Sequence, residues 1–168
     1  MTLLGPRPGE TLLEIGSGTG RELAVSAQRV GEAGRACGID LSRGMLRRAQ
    51  RNLGQKKLQS RVALIQADAA FLPLASQSFD AALACFTLEL FPEDVLPIVL
   101  GEIGRVLRPQ GRLCVAALSR SGRANLIRTL YQWGHEHFPG LLDCRPILVR
   151  ESLEVGRFRV VESRRPTG

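Results

Sequence analysis

The stretch Thr11-Leu-Leu-Glu-Ile-Gly-Ser-Gly-Thr-Gly20 decides the fold. Thr11–Ile15 is a short apolar run that ends in a glycine cluster, and Arg21–Val30 has helical composition until Gly31 and Gly34 interrupt it. That reads as strand, tight turn, helix. The same alternation continues along the chain. Residues 36–39 form a second short apolar run ending at Asp40. Residues 42–53 then carry Met45, Leu46, Ala49 and Leu53 at helical spacing, with Ser42 as the cap and Gly54 as the terminator. Val62–Gln66 predicts a third strand delivering Asp68, and Phe79–Cys85 a fourth, with a loop containing Pro73 between them. Residues 92–107 place Val95, Ile98, Val99, Ile103, Val106 and Leu107 on one apolar face, closed by Pro109 and Gly111.

Residues 112–118 predict a fifth strand, 124–137 an amphipathic helix, 147–155 a last helix and 158–162 a sixth strand. The strands are nearly unbroken apolar runs, as in a parallel sheet covered on both faces. Strands alternating with crossover helices define a doubly wound α/β fold with a mostly parallel, Rossmann-like sheet. At 168 residues the chain is expected to be one domain, 1–168, with core motifs over 10–118 and the 123–138 helix acting as a lid.

Composition bounds the function. An apolar fraction of 44% with 23% charged residues excludes disorder and collagen-like repeats. No apolar run approaches the roughly 20 residues of a membrane span, and none follows Met1 as a signal peptide requires, so a cytoplasmic protein is expected. Cys37, Cys85, Cys114 and Cys144 are too dispersed for a disulfide framework or a metal knuckle, and read as free thiols with no metal site. The formal net charge of +7 raises the question of a polyanionic partner. The arginines, spread from Arg7 to Arg165 without a long run, read instead as solvated faces.

The glycine turn is where chemistry begins. In an open α/β sheet ligands bind beyond the carboxyl ends of the strands, where glycines let the backbone approach and the next helix offers free amides. A dinucleotide G-x-G-x-x-G would need glycine where Arg21 stands, and no Gly-Lys pair supplies a phosphate loop. Asp40, 20 residues after Gly20 at the end of the second strand, suits a ribose diol; its bland alternative is a helix N-terminal acid beside Ser42. Asp68 suits an adenine amino group, with a turn cap as the alternative.

The series LLEIGSGTG, GIDLSRGMLRRAQ, IQADAAFLPLASQSFDAALA and EIGRVLRPQGRLCVA resembles the class I S-adenosylmethionine-dependent methyltransferases, in the branch similar to the ubiquinone/menaquinone (type 11) methyltransferases. The resemblance implies S-adenosylmethionine as cofactor, with S-adenosylhomocysteine as product. It implies that Gly16, Ser17, Gly18 and Gly20 line the methionine and ribose portion, that Glu14 holds the amino acid part and that Asp40 binds the ribose. Leu41 and Met45 would flank the adenine, Asp68 and Ala69 would read its edge, and Cys85 with Phe86 would lie near the sulfonium. Helical spacing alone offers a core role for the apolar members of that set. Methyl transfer needs the acceptor held in line, so positioning carries most of the effect and a base is optional. Glu89, His135 and His137 are the candidate bases, weighed against ordinary polar roles, and Cys85 reads as a buried thiol rather than a nucleophile.

The expected reaction is methyl transfer to an oxygen, carbon or nitrogen of a small-molecule acceptor. A nucleic-acid methyltransferase using the basic surface is the less favoured alternative, because Cys85-Phe86-Thr87-Leu88 stands where an amino-methylating motif would be. A non-catalytic cofactor-binding protein is the other. Only about ten residues precede the first strand, so the pocket is expected to be open; 164–168 lack the apolar run of a seventh, antiparallel strand, and the bare edge points either to a homodimer or to a missing segment.

Overall fold

The computed structural model describes residues 4–117, 149–156 and 158–163. They form β1 (Thr11–Ile15), α1 (Arg21–Val30), β2 (Arg35–Asp40), α2 (Arg43–Gln55), β3 (Val62–Gln66), β4 (Phe79–Cys85), a 3-10 turn (Leu88–Leu90), α3 (Leu96–Val106), β5 (Leu107–Ala116) and α4 (Val149–Val155). The sheet order is β3-β2-β1-β4-β5, and every pairing is parallel. The doubly wound α/β architecture expected from the alternation is therefore the observed one. From β1 the chain steps outward through β2 to β3, then crosses back to lay β4 on the other side of β1. The strand order reverses between β1 and β4, which opens a crevice at the carboxyl ends of these strands.

Period-two alternation divides the sheet between two cores. Leu13, Ile15, Ile39, Ala82 and Ala84 face Val99, Leu100, Ile103 and Val106 of α3. On the opposite face, Leu23, Ala24 and Ala27 of α1 and Leu53 of α2 pack against Ala36, with Val62 and Leu64 half-buried beside them. Each fully buried Leu, Ile or Val contributes roughly 1.5 to 3 kcal/mol, and these interlocking rows fix the strand register and with it the site.

The structure revises three of the expected elements. The third helix begins at Leu96 rather than at 92, because Pro97 is suited to a first helical turn and the preceding residues are taken up by turns. The fifth strand begins at Leu107: Phe79 pairs with Leu107 and Ala81 with Arg112, so Arg108 to Gly111 loop out as an irregularity with Gln110 at φ 64°. The described part of the last helix is Val149–Val155. The expected sixth strand over 158–162 is not formed; residues 158–163 carry no strand. Phe158 instead donates its backbone N–H to the Leu153 carbonyl at 2.8 Å and packs its ring on the α3 core, while Val161 is 82% exposed. The expected lid helix over 123–138 and the tail 164–168 lie outside the described residues.

Candidate functional site

The cradle is built by the turn from β1 into α1. Gly16, Gly18 and Gly20 all have positive φ, at 66°, 50° and 72°, a region that side chains disfavour. The turn is tied down at both ends: Ser17 donates its N–H to the Ile39 carbonyl, and Gly20 to the Ser17 carbonyl. A Cβ on Gly16 would stand 2.4 Å from the Thr87 side chain, so the turn touches the segment after β4 across the crevice. A Cβ on Gly18 would meet nothing within 4 Å, so this glycine faces open space.

Two buried polar atoms in this turn lack hydrogen-bond partners among the described residues: Oε2 of Glu14 and Oγ of Ser17. Glu14 is only 4% exposed. Burial, and then the charges of Glu22 and Asp40, push its carboxyl up to about 8, since each of these disfavours the ionised form. An orphaned, buried carboxyl at the mouth of an open turn is costly alone and suits a cationic ligand group.

Asp40 ends β2 with both oxygens engaged. Oδ2 accepts from Gly18 N–H at 2.7 Å and Oδ1 from Ser42 N–H at 2.8 Å. It thus shapes the turn and also takes the helix-entry role read as its alternative. Each carboxylate oxygen can accept more than one hydrogen bond, so capacity for a diol remains. Ser42 caps α2 by accepting from Met45 N–H at 3.3 Å. At the end of β3, Oδ1 of Asp68 accepts from Ala70 N–H at 2.9 Å, the turn-capping geometry, and Ala69 beside it is buried.

The apolar candidates do not serve the core. Leu41 is 70%, Met45 37% and Phe86 56% exposed; Leu41 and Phe86 directly follow β2 and β4, and Met45 lies in the first turn of α2. Phe86 adopts φ 51° and donates its N–H to the Ala116 carbonyl at 2.7 Å. Cys85 is half-buried, with its thiol raised by burial and by Glu22, Glu14 and Cys114; a thiol so held is a poor nucleophile. Glu89 is 1% exposed within the Leu88–Leu90 turn. His135 and His137 lie outside the described residues. A shallow groove lined by Ala70, Phe71, Leu72, Ile98, Gly101 and Glu102 runs along the α3 flank and shares no cradle residue.

Three contributors escaped the sequence reading. Thr87 walls the turn at Gly16. Asn52 donates its side-chain amide to the Thr19 carbonyl at 2.9 Å, anchoring α2 to the loop. Gly38 in β2 admits Ser17 and Leu23, which a Cβ would approach to 2.8 and 2.6 Å. An isolated glycine inside a strand is a signal of close backbone approach, so Gly38 alone could have been found from sequence.

A parallel sheet with a glycine turn at its switch point and carboxylates at three successive strand ends defines a nucleoside-cofactor-binding α/β protein. Residues 12–111 match the methyltransferase domain model, and the chain belongs to that family, which implies S-adenosylmethionine as its cofactor. It is 36% identical over 118 residues to a ubiquinone/menaquinone biosynthesis C-methyltransferase of Teredinibacter turnerae, covering 70% of this chain and 47% of that protein. Among solved structures, an S-adenosylmethionine-dependent methyltransferase from Aquifex aeolicus superposes with TM-score 0.65 at 25% identity, covering 74% of this chain and 64% of the other. The [4+2]-cyclase SpnF superposes with TM-score 0.75 at 27% identity, covering 93% and 53%. The chain spans under half the length of the first curated relatives it matches.

Proposed function

We propose that the chain binds S-adenosylmethionine in the cradle and directs its methyl group to a small-molecule acceptor. The observation that carries this reading is the pair of orphaned buried atoms, Glu14 Oε2 and Ser17 Oγ, beside an open glycine turn. When bound, the cofactor supplies an electrophilic methyl carbon on a sulfonium. Asp40 accepts from the ribose hydroxyls, Glu14 takes the ammonium of the methionine part, and Ser17 bonds to the same portion. Leu41 and Met45 cover the adenine, Asp68 and Ala69 read its edge, and Cys85 and Phe86 border the reacting side. These side chains bind, orient and exclude water, which is most of what an in-line displacement asks of a protein.

An acidic phenol or enol arrives ionised and needs no base. For a less acidic acceptor the proposed bases are Glu89, His135 and His137, and the burial of Glu89 suits it better to anchoring the turn. The acceptor is a small organic molecule, in keeping with the quinone-biosynthesis enzyme among the relatives. No helix among the described residues is long and apolar enough to cross a membrane, and a single cytoplasmic domain that pairs through a sheet edge completes the proposal. A binding role without methyl transfer is the second reading; the resemblance to a cyclase favours it, because the fold does not dictate the chemistry.

Calorimetric titration of S-adenosylmethionine into the wild type and Asp40→Asn is the test. The variant should lose about one to two decades of affinity, the worth of roughly 1.5 to 3 kcal/mol for hydrogen bonds to a charged acceptor. Equal affinity in a folded D40N overturns the assignment of the cradle.

A further inference from the structure

The formal charge of +7 is not spread over the chain. Between Asp40 and Asp68 there is no acidic residue, and that interval holds Arg43, Arg47, Arg48 and Arg51, the pair Lys56 and Lys57, and Arg61. With those seven set aside, the remaining sixteen basic residues face sixteen acidic ones, so the whole net charge belongs to one segment. That segment is α2 and the turn after it.

The fold turns these charges outward. Only Ala49 and Leu53 of α2 are buried, while all four arginines of the helix and both lysines are exposed. None of the seven side chains makes an ion pair or hydrogen bond among the described residues. Arg43, Arg47 and Arg51 recur every four residues, so they align along one face about 6 Å apart. Like charges at that spacing weaken a helix, and Arg43 sits at the positive end of the helix dipole with no acid in the first turn to offset it. Helix stability does not explain this pattern, and local rules tend to be broken where a surface has another task.

We propose that this face of α2 docks the phosphate backbone of a nucleic acid. Arginine binds phosphate through paired N–H donors, and the spacing along the helix approximates that between successive phosphates. The alternative polyanion, an acidic lipid surface, is disfavoured by the company the arginines keep. From 47 to 61 every exposed residue is Arg, Lys, Gln or Ser; the exposed Leu41 and Met45 are confined to the cradle end beside Arg43, whereas an interfacial helix needs an apolar side along its length to enter the acyl region. Arg43 adjoins the Asp40 turn, and Asn52 and Ala49 hold α2 against the glycine loop. A docked strand therefore runs from the flank of the molecule to the rim of the cradle. This inference is independent of cofactor binding.

Fluorescence anisotropy of a labelled single-stranded RNA of mixed sequence, titrated with the full chain between about 50 and about 300 mM salt, is the test. Binding should weaken steeply with salt. Arg47→Gln with Arg51→Gln should weaken it about tenfold at the lowest salt and flatten the log–log salt slope by about 1.4, at roughly 0.7 per phosphate contact. Arg150→Gln with Arg159→Gln removes the same charge from exposed positions elsewhere, and should leave affinity and slope within about twofold of wild type. Gln matches Arg in helix propensity, and circular dichroism verifies that both variants fold. Equal losses in the two variants, affinity insensitive to salt, or capture of phosphatidylglycerol vesicles without RNA binding overturns the proposal.

Discussion

Glu14 is the residue whose environment says most. A carboxyl raised from an ordinary 4.5 to about 8 in the fold binds more protons in the native than in the unfolded chain between those values, so ligand-free stability must fall as pH rises across that window. The fall is on the order of a few kcal/mol, and Glu14→Gln should flatten it; denaturant unfolding of both proteins from pH 5 to 8 measures the difference. If Glu14 ionises against the cofactor ammonium, binding releases a proton, and affinity should rise up to about tenfold per pH unit as pH approaches 8. Calorimetry in buffers of different ionisation heat counts that proton, and E14Q should release none. Gly16 and Gly18 supply a second contrast. Both have positive φ, yet only a Cβ at Gly16 meets Thr87. Gly18→Ala should cost about 1 to 2 kcal/mol for the left-handed backbone, and Gly16→Ala about 1 to 3 kcal/mol more for overpacking; thermal unfolding of the pair isolates the clash. Asp40 and the glycines were legible because strand ends and turns are local patterns. Thr87 and Asn52 were not, because nothing near them in sequence marks the loop they touch.

At the scale of elements, the loop between β3 and β4 shows what local pattern misses. Arg105 on α3 donates to both carboxylate oxygens of Glu102, to the carbonyls of Leu72 and Leu74, and to Ser76 Oγ, while Glu102 accepts from Leu72 N–H. One helical residue thus pins an irregular segment that begins at Asp68. The helix itself was visible in its apolar face, but the clamp spans about thirty residues of sequence and its acceptors are carbonyls, which any residue supplies. Arg105→Ala should cost about 1 to 3 kcal/mol, the scale for charged hydrogen bonds in a partly exposed site, and should speed amide exchange at 70–78 while leaving β1 and β2 protected. The strand expected over 158–162 failed for a related reason. Its apolar residues fit a strand by composition, but a strand needs a neighbour's backbone, whereas Phe158 finds its burial on α3. The first four parallel strands were readable since each is a mostly apolar run bounded by a turn; pairing at an edge depends on what lies beside it in space.

For the whole molecule, the switch point between β1 and β4 makes the site a test of the entire sheet. The proposed cradle draws on the ends of β1, β2, β3 and β4, the same strands through which the packing on opposite faces of the sheet is joined. A ligand there binds the folded chain and not the unfolded one, so it stabilises the whole domain rather than one loop. At about 100 times its dissociation constant, S-adenosylmethionine should add about 2.7 kcal/mol. At roughly 2 to 4 °C per kcal/mol for a domain of this size, the unfolding midpoint should rise by about 5 to 10 °C. The rise should be larger at pH 8 than at pH 6, because at the lower pH part of the binding energy goes to deprotonating Glu14, and in E14Q that pH dependence should vanish. At the same ligand concentration the loss of one to two decades of affinity should leave D40N a rise of only about 0.4 to 1.4 kcal/mol in equivalent stability. Differential scanning calorimetry of the three proteins with and without ligand measures all of these. A wild-type rise that is unchanged in both variants would place the ligand away from the strand ends, and would detach the fold from the chemistry assigned to it.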